Sequence, residues 1–300
     1  MNDSQDTLIH GMAADGTVRC VAAVTTNTIA EAASRHETAS TATAAFGRLL
    51  TGTLLLAATY KDFDRLTVQI RCNGIIEGIV GEANNKGGVR GYVRNPAADV
   101  PFNAEGKYDV RAIVGEGTFY VTREAGFDIG LYREPYQGSV PLVSGEIGED
   151  FAYYLTKSEQ IPSGVMLGVI VNPARSEVWA AGGVLLQMMP GATEETIAEI
   201  ERAVQNSPGT AKLIYEGASP TDLLKAALGT IEFEVLDEKP VGFYCTCSME
   251  RAVSIISSLD RAELETILRE DAGATLVCHF CNNKYTLDAT HLEEILTVNS

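Results

Sequence analysis

The chain has 300 residues, 40 acidic against 23 basic side chains, and a formal net charge of −17 at pH 7. At about 100–200 residues per domain it should hold two or three folding units, and 45% hydrophobic residues supply a sizeable core rather than a disordered chain. The acidic balance, with no basic run anywhere, argues against nucleic acid and against an anionic membrane surface as partners.

The first residues, MNDSQDTLIHGMAADG, lack the charged-then-apolar pattern of a signal peptide. The pattern VRCVAAV places Val18, Cys20, Ala22 and Val24 on one side and predicts a half-buried strand. The Ala- and Leu-rich region 28–60 predicts one or two buried helices. Its most apolar stretch, TGTLLLAATY (51–60), falls far short of the ~20 residues that span a bilayer. RLTVQIRC puts Leu66, Val68, Ile70 and Cys72 on one strand face, Asn73-Gly74 reads as a hairpin turn, and IIEGIVGEA and VRGYV return as strands. RAIVG and TFYVTRE also read as strands. Ile147, Phe151, Tyr154 and Leu155 have helical spacing, and VMLGVIVN and EVWAAGGVLLQMM read as two further strands. These elements predict an α+β fold, mainly an antiparallel sheet core with helices, over residues 1–190.

Composition then shifts. Thr193 can cap a helix whose Ile197, Ile200 and Val204 form a narrow apolar stripe. Ser219-Pro220 opens another helix that Gly229 closes. Isolated helices shorter than ~12–15 residues are marginal in water, so 191–244 is expected to be a metastable helical linker that needs a surface to dock on. Residues 245–300 follow as a small cysteine-rich module, with Asp260 and Glu263 resembling a capping box.

That module holds Cys245-x-Cys247 and, thirty residues later, Cys278-x-x-Cys281. Two thiol pairs brought together give a tetrahedral set of soft ligands, the pattern of a closed structural zinc site with no open position for catalysis. His279 and His291 offer a Cys3His alternative, but four cysteines already suffice. Cys20 and Cys72 continue apolar strand faces and read as buried structural thiols. The plain reading of the tail is a zinc ribbon that staples the C-terminus. The sharper one is a redox switch, in which the thiolates that hold zinc are also the species oxidants attack. Oxidation within each pair would give Cys245–Cys247 and Cys278–Cys281 bridges and expel the metal. The first closes a tiny loop, which makes it a poor staple and a readily reversed bond. A module of about 60 residues has a marginal core, and metal binding can supply on the order of 10 kcal/mol of its folding energy.

The chain resembles the heat-shock protein 33 family of redox-regulated bacterial chaperones. The resemblance is carried by STATAAFGRLLTGTLLLAATYK (40–61), GIVGEANNKGGVRGYVRNP (78–96), PYQGSVPLVSGEIGEDFAYYLTKSEQIPS (135–163), LLQMMPGA (185–192) and the cysteine spacing of the tail. It implies an ATP-independent holdase and not an enzyme. The reduced form would be inactive, with one Zn2+ on Cys245, Cys247, Cys278 and Cys281. Oxidation would form two disulfides, release zinc and unfold module and linker. The oxidised form would hold unfolding client proteins and can form a homodimer. The stripe Ile197, Ile200 and Val204 is a candidate client contact that ordinary intramolecular packing explains equally well. A cytoplasmic location is expected, where thiols stay reduced. The competing expectations are a zinc-ribbon adaptor or nucleic-acid-binding factor, against which the nine acidic and four basic side chains of 240–300 weigh, and a thiol–disulfide oxidoreductase. The latter's Cys-x-x-Cys opens a helix, whereas here it lies between two predicted strands. No GxxxxGK[ST] loop is present to drive an ATP cycle.

Overall fold

The computed structural model describes residues 5–61, 63–124, 135–172 and 174–298. The chain divides into two compact units, Met1–Tyr244 and Cys245–Ser300, and it is an α+β protein. The larger unit opens with the hairpin β1 (Thr7–Ala13) and β2 (Val18–Val24), then helices α1 (Thr26–His36) and α2 (Ser40–Ala57). A meander of β3 (Arg65–Cys72), β4 (Gly78–Ala83) and β5 (Gly88–Val93) leads through helix α3 (Val110–Val114) to β6 (Gly117–Glu124) and β7 (Tyr136–Pro141). Helix α4 (Gly148–Lys157) precedes a second hairpin, β8 (Ser163–Asn172) and β9 (Glu177–Met188). Helices α5 (Glu194–Asn206), α6 (Thr210–Tyr215) and α7 (Pro220–Leu228) follow, then strands β10 (Phe233–Pro240) and β11 (Gly242–Phe243).

Two sheets result, a five-stranded one in the order β10-β1-β2-β9-β8 and a six-stranded one in the order β11-β5-β4-β3-β6-β7. All neighbours are antiparallel except β11 and β5. Helix α2 lies between the sheets. Apart from Arg48 its residues are apolar or small hydroxyl-bearing side chains, the pattern of an enclosed helix, and only Arg48 among them is not buried. Glycines let the sheets close on it. A Cβ at Gly91 would come within 2.7 Å of Leu50 Cδ2, and one at Gly183 within 2.9 Å of Leu55 Cδ1.

The central strands of the five-stranded sheet are buried on both faces. Leu8, Val21, Ala23, Ala181 and Leu185 join the core around α2. On the opposite face Ile9, Cys20, Ala22, Val184 and Leu186 pack with Ile200 of α5 and with Leu223, Leu224, Ala227 and Leu228 of α7. β2 is therefore covered on two sides, not half-buried as its alternation suggests, because helices nearly 200 residues downstream supply the second cover. Helix α5 is capped by Thr193, whose side chain accepts from Thr196 N. Ser219 and Asp222 close a capping box on α7, with Pro220 in its first turn and Gly229 ending it.

Three local expectations are corrected. Residues 111–115 do not form a strand: Val110–Val114 is a helical turn, nucleated by Asp109, whose carboxylate accepts from Ala112 N at 3.0 Å. Asn73-Gly74 is not a two-residue hairpin turn either. The strands it follows and precedes are five residues apart, because this dipeptide is tied to the end of α3 and the start of β6. Asn73 Oδ1 accepts from Glu116 N at 2.9 Å, and Gly74 N donates to Val114 O at 3.0 Å. A Cβ at Gly74 would lie 2.2 Å from Ile113 O. Finally, the segment after α7 does not stay helical but adds a strand to each sheet.

Candidate metal centre

The smaller unit consists of α8 (Met249–Ser257), α9 (Arg261–Asp271), the hairpin β12 (Gly273–Val277) and β13 (Lys284–Asp288), and α10 (Ala289–Val298). Its apolar core is small: Ala252, Ile256, Leu264, Leu287, Leu292 and Ile295 are its buried aliphatic members. Such a core supplies little stability by itself.

The turn between β12 and β13 carries the second cysteine pair. Cys278 N donates to Asn283 O at 2.9 Å, while Cys281 N and Asn282 N both donate to Cys278 O, at 3.3 and 2.7 Å. Asn282 takes a left-handed conformation (φ 56°) that asparagine tolerates better than most residues. The first pair lies just ahead of α8. Ser248 caps that helix, accepting from Arg251 N, and Arg251 Nη1 donates to Thr246 Oγ1 at 2.9 Å and Thr246 O at 3.2 Å. The residue between Cys245 and Cys247 is thereby tied to the first turn of α8.

The four sulfurs lie within 4.8 Å of one another. Cys245 Sγ is 3.7 Å from Cys278 Sγ, and Cys247 Sγ is 3.3 Å from Cys281 Sγ. These separations are those of free thiols, well beyond a disulfide bond of about 2.05 Å. A tetrahedral ion with metal–sulfur bonds of about 2.3 Å sets its ligands about 3.8 Å apart. The donor set thus fits one soft metal ion. Burial, with neighbouring thiols adding to it at Cys281, pushes the Cys278 and Cys281 thiols above their ordinary value. A dication at the centre would reverse that preference by stabilising thiolates.

Tyr285, which sequence reasoning missed, donates its hydroxyl to Cys247 Sγ at 3.0 Å. The signal was its place in β13, on the same face as buried Leu287 and between exposed Lys284 and Thr286. His279 and His291 are exposed and lie outside the sulfur group. The ring of His291 meets Asp288 Oδ1 at 2.7 Å. Cys20 is fully buried and Cys72 partly so, and burial raises both thiols, that of Cys20 to about 12. Ile200 is buried against the outer face of the five-stranded sheet, Val204 packs beside it, and Ile197 is half-buried.

The model of the Hsp33 protein family matches residues 6–288. The chain belongs to the Hsp33 family. It is 45% identical over 294 residues to the 33 kDa chaperonin of Staphylococcus carnosus and 43% identical over the same length to that of Staphylococcus aureus, covering 98% of this chain and of each relative. A crystal structure of the 33 kDa chaperonin (heat shock protein 33 homolog) from Thermotoga maritima matches with a TM-score of 0.88 at 34% identity, over 98% of this chain and 99% of that one. The Hsp33 resemblance drawn from the motifs therefore holds over nearly the whole length. Among the described residues no helix is long and apolar enough to cross a membrane.

Proposed function

We propose that this member of the Hsp33 family is a redox-regulated, ATP-independent holdase of the cytoplasm. In this reading Cys245, Cys247, Cys278 and Cys281 hold one Zn2+ in the reduced state. The observation that carries it is the gathering of four thiols in a unit with so small a core. A bound Zn2+ would keep the sulfurs as thiolates and add its binding energy to the folding of that unit.

Two equivalents of a peroxide-class oxidant would convert the four thiolates into Cys245–Cys247 and Cys278–Cys281 disulfides. Four protons are taken up and four waters leave, and no sulfur ligand remains for the ion. The sulfurs also meet across the pairs, Cys245 with Cys278 at 3.7 Å and Cys247 with Cys281 at 3.3 Å. Bridging within the pairs breaks these cross-pair contacts, which favours loss of the folded arrangement. The linker 191–244 would then release, uncovering the outer face of the five-stranded sheet and the stripe of Ile197, Ile200 and Val204 for clients.

The test is parallel measurement of zinc content, free thiols and suppression of client aggregation, before and after peroxide at elevated temperature. The reduced protein should retain one zinc and suppress nothing. The oxidised protein should have lost zinc and four thiols and should hold the client. Zinc-free, oxidised protein without holding activity refutes the holdase reading, and protein that keeps its zinc and thiols under the same treatment leaves a constitutive zinc ribbon.

A further inference from the structure

Strand β10 is attached almost wholly through its main chain. It pairs with β1 along its length, from Thr7 opposite Pro240 to Ala13 opposite Phe233. Yet Glu234 through Glu238 are all exposed, Val235 by 39% and Leu236 by 55%. Phe233 alone packs against the outer-face cluster, and Leu236 is the extra residue of a bulge beside the His10–Gly11 step. Side-chain burial therefore contributes little to this pairing, and ladder hydrogen bonds carry it.

β1 is in the opposite situation. It is paired with β2 over all seven residues, and its Leu8, Ile9 and Ala13 are buried in the clusters on the two sides of the sheet. Departure of β10, an edge strand, would leave β1 in place with a row of unpaired backbone groups.

We infer that the edge of β1 is a β-augmentation slot for an extended segment of an unfolding client chain, closed in the resting molecule by β10 as a placeholder. The inference rests on the holdase reading and adds the docking site. A slot that recognises main chain reads almost no sequence, which suits a partner defined by being unfolded. Gly11 permits the close approach, since a Cβ there would lie 2.4 Å from Glu234 O. An open edge pairs indiscriminately, and the exposed carboxylates of Glu234, Asp237 and Glu238 keep the closed sheet from doing so with a second copy.

The experiment is amide hydrogen exchange on the oxidised full-length chain, with and without a reduced, carboxymethylated small protein as permanently unfolded client. The amides of 7–13 that point toward β10 should exchange freely after oxidation and slow by about tenfold or more when client is added, while those bonded to β2 stay protected throughout and those of 233–240 stay unprotected. Client that co-elutes with the chain yet leaves 7–13 unchanged overturns the slot without touching the holdase reading. Protection returning to 7–13 and 233–240 together means that β10 has re-docked, and protection that precedes client and grows with protein concentration assigns the edge to a second copy. Either result also overturns the inference. A chain that binds no client overturns both readings.

Discussion

Replacing Leu224 by Ala should loosen the cover on the five-stranded sheet while the protein is still reduced. Leu224 lies on α7, is fully buried, and shares its cluster with Cys20, Val184 and Leu186. Truncating a buried leucine costs about 3 kcal/mol. Helix α7 has only nine residues, so local undocking is the first opening that loss promotes. At 1.4 kcal/mol per tenfold, the undocked population should rise by about two orders of magnitude. Cys20 reports it directly. In the closed state it is fully buried, and its thiol is pushed up to about 12 by burial, so it is both shielded and protonated. Alkylation followed by peptide mass spectrometry separates it from the other five cysteines. Labelling of Cys20 should accelerate by about 100-fold in Leu224→Ala. Leu54→Ala, on α2 in the other core, should lower the thermal midpoint with a much smaller gain in labelling. If Leu224→Ala lowers the midpoint yet labels Cys20 no faster than the parent, α7 is not a cover that opens separately and the linker reasoning fails.

Removing a sulfur and removing its hydrogen-bond donor should differ in degree. Cys278→Ser should abolish stoichiometric zinc retention and leave 245–300 protease-sensitive under reducing conditions, whereas Tyr285→Phe, which deletes the hydroxyl on Cys247, should keep the site and weaken zinc by about tenfold in chelator competition. Unchanged zinc affinity in Tyr285→Phe would mean that the hydroxyl does not tune the sulfur. His10 predicts an acid sensitivity. Burial, then the charge of Arg19, holds its pKa below the ordinary 6.5, against a smaller opposing pull from Asp237. The folded state thus prefers neutral His10, so its contribution is intact above 6.5 and is lost as pH falls from there through the depressed value. Thermal midpoints of the parent should drop more steeply over that window than those of His10→Gln, and equal slopes would discount the effect.

Much of the candidate site was legible because its chemistry is local. Cys245-x-Cys247 and Cys278-x-x-Cys281 each fit on one short stretch, and soft-ligand geometry is a demand on residue type and spacing. The caps at Thr193, Ser219 and Asp260 were legible for the same reason, since each side chain reaches a backbone amide three residues on. So was the enclosure of α2, which has no polar face to offer solvent. What covers what could not be read this way. The stripe of α5 and α7 announces that it needs an apolar partner but does not name the strands carrying Ile9, Cys20 and Leu186. Residues 233–240 became a strand because β1, more than 200 positions earlier, offers a ladder of unpaired backbone groups, although their own side chains bury almost nothing. The turn expected at Asn73-Gly74 and the strand expected at 111–115 yielded together, because each is fastened to the other. Pairing and covering are relations between surfaces remote in the chain, and only the folded molecule brings those surfaces face to face.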